Sequence, residues 1–76
     1  MKIPGRLVHR TRLVRTDRYV VAVDVEAVIP KDDPREPCYE AETVELLHEV
    51  ARHAEKEDLE WLRRHGRVYR AIEIGA

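Results

Sequence analysis

YVVAVDVEAVI, residues 19–29, is the stretch on which the fold turns. Tyr19, Val21, Val23, Val25, Ala27 and Ile29 fall on one side at a period of two, and Val20, Ala22, Asp24, Glu26 and Val28 on the other. Alternation and β-branched density predict a strand, with the side free of carboxylates turned inward. Pro30 ends it, because proline brings no N–H to a ladder.

Upstream, RLVHRTRLVR (residues 6–15) predicts a partner strand, with Thr16, Asp17 and Arg18 between the two. A three-residue loop pairs Arg15 with Tyr19. It sets Leu13 against Val21 and Leu7 against Ala27 on the core side, and Arg10 against Asp24 and Val8 against Glu26 outside. A two-residue turn slips the pairing by one, sets Leu13 against Ala22 and exchanges the faces. The three-residue loop is therefore expected, with Asp17 in the left-handed conformation that aspartate tolerates. His9 then shares the inward side with the leucines as a half-buried, hydrogen-bonded residue. Arg6, Arg10 and Arg12 project from the opposite side.

Downstream, Pro30, Pro34 and Pro37 stiffen the passage out of the strand, and Asp32, Asp33 and Glu36 keep it polar. From Ala41 the period changes. Val44, Leu47, Val50, Ala51 and Ala54 recur at helical spacing with Leu46 beside them, and Glu40, Glu42 and Glu45 suit the positive end of a helix dipole. Asp58 is placed to cap a second, short helix with Leu59 and Leu62 inward and Trp61 next to them, and Gly66 to close it. Residues 41–65 read equally as one bent helix or two. RVYRAIEI, residues 67–74, predicts a third strand with Val68, Arg70, Ile72 and Ile74 on one side and Arg67, Tyr69, Ala71 and Glu73 on the other.

The fold class is α+β: a β-β-α-(α)-β chain forming a three-stranded, mainly antiparallel sheet with one long helix, bent or followed by a short one, packed on one face. Two places are open to the third strand. It can lie beside the first in an all-antiparallel sheet, or run parallel to the second through a right-handed crossover. The first is preferred.

With 76 residues the chain is one domain with a thin core. Self-association as a homodimer is the expected remedy, since a single cysteine rules out an internal disulfide. No stretch has signal-peptide or membrane-span character, and one free thiol suits a reducing compartment, so a cytoplasmic location is expected. The net charge of −1 conceals sorting. Residues 1–18 hold six bases against one acid, residues 19–60 four against thirteen, and residues 61–76 four against one.

No catalytic constellation emerges, and no cofactor is implied. Cys38 precedes a helix, but Glu36, Glu40 and Glu42 around it raise a thiol pKa rather than lower it. Glu45 and His48 have the spacing of half a di-metal carboxylate site with no second half, and His48 and His53 point in different directions. A solvated helix face with Glu49 paired to His53 is the expected reading. The glycines are scattered and there is no serine.

What remains is interaction. A small non-enzymatic, self-associating module that binds a protein partner is the leading expectation. Its interface candidates are the aromatic anchors Trp61 and Tyr69 and the acidic loop residues Asp32, Asp33 and Glu36. The alternative is a nucleic-acid-binding regulator that meets phosphate with Arg6, Arg10 and Arg12, joined by Arg67 or Arg70 if the third strand lies beside the first. Against it, Asp24 and Glu26 are expected to neutralise Arg10 and Arg12 across the hairpin.

Overall fold

The structure, a computed structural model, describes residues 4–72 and residue 74. Its elements follow in the order β1 (Gly5–Arg15), β2 (Tyr19–Pro30), α1 (Ala41–Glu55), α2 (Leu59–His65) and β3 (Arg67–Arg70). The sheet is antiparallel throughout, with β2 in the centre. Both helices lie on one face. The shortest extent of the molecule, 14 Å, matches one sheet and one helical layer.

β2 behaves as its alternation predicts. Val21, Val23 and Val25 are buried against Val50 and Ala54 of α1 and Leu62 of α2. Val14, Leu46, Leu47, Leu59, Trp61 and Val68 pack around that cluster at partial burial. Within α1 the inward stripe runs through Leu46, Leu47, Val50 and Ala54, while Val44 is exposed. No polar or charged residue among those described is buried, so the buried cluster between sheet and helices is apolar and its cohesion non-directional.

The hairpin register differs by one from expectation. Val14 faces Val21, Arg12 faces Val23, and Leu13 faces Ala22. The turn has two residues at its tip. The Thr16 N–H donates to the Tyr19 carbonyl (2.9 Å), and the Thr16 hydroxyl accepts from the Tyr19 N–H (3.2 Å). Asp17 is not left-handed; among the described non-glycine residues only Glu57 has a positive φ. The slip turns every β1 side chain over. Leu7 and Leu13, expected inside, stand 61% exposed on the helix-free face, and His9 is exposed there too. Arg6, Arg10 and Arg12 share the helix side with Val8 and Val14. What the slipped register gains is a polar tie across all three strands. Asp24 Oδ1 accepts from the Thr11 hydroxyl at 2.8 Å, and Asp24 Oδ2 meets Arg67 Nη1 at 3.0 Å.

Residues 41–65 form two helices, and the break is a capped corner. Past Lys56, Glu57 takes φ 57°. The Glu57 N–H donates to the Ala54 carbonyl and the Asp58 N–H to the His53 carbonyl (3.0 and 2.9 Å), the two bonds of a Schellman motif, here without its usual glycine. Asp58 then caps α2 by accepting from the Trp61 N–H at 3.3 Å, as its position predicts.

α2 also explains the third strand, which lies beside β2 and antiparallel to it, not beside β1 and not parallel. α1 begins where Cys38 bridges Val28 and ends where Glu57 meets Arg18, so it runs the length of the hairpin. One helix alone would deliver the chain to the turn end, and a strand starting there would run parallel to β2. α2 carries the chain back toward mid-sheet first. At that junction Gly66 is extended, and a Cβ on it would stand 2.5 Å from the Ala22 carbonyl oxygen. Glycine is required there by close approach, not by a left-handed turn. β3 is shorter than expected: Ile72 is outside it and exposed, and Glu73 lies outside the described residues.

Candidate interaction edge

Of the two long strands, β2 meets β3 over Tyr19–Ala22 and Cys38 at Val28 on its second edge, whereas β1 has no strand along its outer edge among the described residues. Val28 donates its N–H to Cys38 and accepts from the Cys38 N–H, both at 2.7 Å, so its backbone groups point away from β1. Its cross-strand partner is Leu7. In an antiparallel ladder such a pair is not hydrogen-bonded, and the backbone groups of Leu7 therefore point away from β2. The same holds at period two for His9, Thr11 and Leu13. The Thr16–Tyr19 and Pro4–Lys31 bonds have the complementary parity. The outer edge of the eleven-residue strand β1 thus presents a row of N–H and C=O groups with no neighbouring strand among the described residues.

That edge is basic and unneutralised. Arg6, Arg10, Arg12 and Arg15 enter no ion pair among the described residues; the five ion pairs lie elsewhere. The register is the cause. Asp24 and Glu26 stand opposite Thr11 and His9, while Arg10 and Arg12 stand opposite Val25 and Val23. The expected cross-strand neutralisation does not occur. Asp24 is held below the ordinary carboxylate range first by its hydrogen bond from Arg67 and then by that from Thr11, and Arg67 is held above its own range by Asp24. Arg12 sits over the Tyr39 ring, 5.4 Å from its centroid, and donates to the phenol oxygen at 3.2 Å. Arg10 donates only to the His9 carbonyl. Arg70 pairs with Tyr19 on the far strand, so β2 separates it from the β1 arginines.

The other candidates are placed as follows. Tyr69 is 53% exposed on the helix-free face, opposite Val20. Trp61 is half-buried between two imidazoles, with ring centroids 3.8 Å from His53 and 3.9 Å from His65. His53 Nδ1 meets Asp58 Oδ2 at 3.0 Å, which holds Asp58 below its ordinary range. Glu49 pairs with Arg52 instead of His53. Asp33 is engaged by Arg35 (3.1 Å), while Asp32 and Glu36 are exposed. Cys38 is half-buried, its Sγ 3.9 Å from the Glu36 carbonyl. His48 and Glu45 are exposed on α1, and among the described residues no three His, Cys, Asp or Glu converge as metal ligands. Nor, among them, is any helix long and apolar enough to cross a membrane.

Sequence reasoning reached the arginines but not the free edge that carries them. The signal it lacked was the strand order, which depends on α2. Comparison with protein-family models, with curated proteins and with solved structures finds no match for this chain.

Proposed function

We propose that the domain is a non-enzymatic protein-interaction module that recruits a second polypeptide by strand addition along β1. One observation carries this reading: an eleven-residue strand whose outward backbone groups have no neighbouring strand among the described residues, the His9 carbonyl accepting only from the exposed Arg10 side chain beside it. Such an edge is a template for another chain, because main-chain hydrogen bonds supply affinity without a deep pocket. Self-association, expected from the size of the domain, is one form of the same event.

The test is affinity capture with wild-type bait and with His9→Pro, with and without nuclease. His9 directs its N–H outward, so proline there leaves the β1–β2 ladder intact and blocks only the edge. Circular dichroism should be unchanged. A stoichiometric, nuclease-resistant protein held by wild type and lost from His9→Pro is the expected result. Equal retention by both baits would sink the reading.

A second reading, a regulator that binds nucleic acid, is favoured by the absence of any carboxylate opposite Arg10 and Arg12. It requires affinity that falls steeply with salt and collapses in Arg10→Glu/Arg12→Glu. Nucleic acid retained equally by that double variant would remove it.

A further inference from the structure

We infer that the occupant of the β1 edge is an acidic, extended segment of another protein, added antiparallel to β1, with carboxylates opposite Arg6, Arg10 and Arg12 and apolar side chains opposite Val8, Leu7 and Leu13. This rests on the strand-addition reading above and specifies the chemistry of the partner.

The charge distribution selects that occupant over two others. β1 holds four arginines, His9 and no acid. A second copy of β1 meets it badly in the registers about the middle of the strand, from His9 to Arg12, that overlap most of its length. A two-fold axis through Arg10 sets Arg10 against itself. An axis through His9 sets Arg6 against Arg12 twice, one through Thr11 sets Arg10 against Arg12 twice, and one through Arg12 sets Arg12 against itself. Like charges directly opposite are destabilising. A nucleic acid strand would satisfy the guanidinium groups but leave the outward N–H and C=O row unpaired. It would also find little to stack on, because the Tyr39 ring is already covered by Arg12 and Tyr69 lies on the other edge strand, pointing to the opposite face. An acidic strand satisfies both sets of groups at once.

The alternation of β1 dictates the pattern. Side chains of directly opposite residues lie on the same face. On the helix side the guest therefore meets Arg12, Arg10, Val8 and Arg6 in its own N-to-C direction, and wants acid, acid, apolar, acid at every second residue. On the helix-free side it meets Leu13, Thr11, His9 and Leu7, and wants apolar residues at the two ends with hydrogen-bonding residues between. The guest reads apolar, acid, polar, acid, polar, apolar, apolar, acid. The antiparallel direction is chosen because its perpendicular hydrogen bonds make the more stable pairing.

The experiment uses a short blocked peptide, fluorescein-labelled, with the order valine, glutamate, threonine, glutamate, threonine, valine, isoleucine, glutamate. Its binding to the full chain is read by fluorescence anisotropy. Beside it run a version with glutamine for glutamate, a version with lysine, and a single-stranded oligonucleotide. The acidic peptide should bind about tenfold or more tighter than the glutamine version, the summed effect of three cross-strand charge pairs. Arg10→Glu/Arg12→Glu should reverse the order in favour of the lysine peptide, and His9→Pro should abolish binding of every peptide. Equal affinity for the acidic and glutamine peptides, with binding still lost in His9→Pro, would overturn the acidic guest and leave strand addition standing. Binding of no peptide, or peptide binding indifferent to His9→Pro, would overturn both. So would an oligonucleotide that displaces the acidic peptide and binds His9→Pro undiminished.

Discussion

β1 and β2 are two arms of one hairpin, with nearly equal lengths of eleven and twelve residues, and they do opposite work. β2 buries Val21, Val23, Val25 and Ala27 on the helix side and has neighbours on both edges. β1 has only Val8 and Val14 even partly covered. The difference lies in what the two strands present to α1 and α2: valine from β2, mostly arginine from β1. One arm supplies stability through apolar burial. The other is held by its ladder to β2 and is left free to meet something else.

That division can be broken most forcefully at the core. Leu62→Ala should cost about 3 kcal/mol, since Leu62 is wholly buried and leaves a cavity when truncated. A chain of this length has on the order of 4–11 kcal/mol in total, so chemical denaturation should show roughly a quarter to three-quarters of the stability gone. Leu13→Ala on β1 should stay within about 0.5 kcal/mol, because its side chain is already in water. A comparable loss at both positions would mean that the helix-free face is covered in solution.

Gly66→Ala comes next. Its new Cβ meets backbone, the Ala22 carbonyl, which has no rotamer to yield. The expected loss is about 2 kcal/mol, in the range of overpacked sites, seen as a lower denaturation midpoint. Glu57→Gly should go the other way, gaining about 0.5–1 kcal/mol by relieving a left-handed non-glycine residue. The exposed Arg18–Glu57 pair that it removes offsets only part of that gain.

The smallest effect is pH. Asp24 and Asp58 both have folded pKa values below the ordinary 3.8. Groups depressed on folding stabilise the fold above their unfolded pKa and lose that contribution as pH falls through the folded one. Stability should therefore decline as pH drops below about 4. Asp24→Asn should flatten part of that decline in a series of denaturation curves. Its removal should also loosen β3, because Asp24 ties Arg67 to Thr11 across all three strands.

How far the sequence carried the structure depends on where a single phase dominated. β2 had one apolar side and one carrying acids, so its inward face was unambiguous. The helix corner was legible only in part: Asp58 was placed as the cap of α2, but the apolar pattern of residues 41–65 fitted one bent helix as well as two. β1 offered two competing phases. Leu7 and Leu13 sit six residues apart on one side, and Val8 and Val14 six apart on the other. Hydrophobic pattern cannot choose between them, and the choice fell to the Thr16–Tyr19 turn and the Thr11–Asp24 hydrogen bond, interactions of single polar atoms. The third strand was misplaced for a different reason: its direction depends on α2 reversing the chain, and seven residues were enough to do that. The arginines of the candidate edge were visible from the start, but their lack of carboxylate partners followed from the slipped register.

The His53–Trp61–His65 stack has an optical consequence. Trp61 is the one tryptophan of the chain, so all indole emission comes from the corner where α1 turns into α2. An imidazole in face contact with an indole perturbs its emission, and Trp61 has one on each face. Unfolding separates the rings and should change the brightness of that single fluorophore. The stack thus gives this small domain an intrinsic optical readout of whether its helix corner is intact.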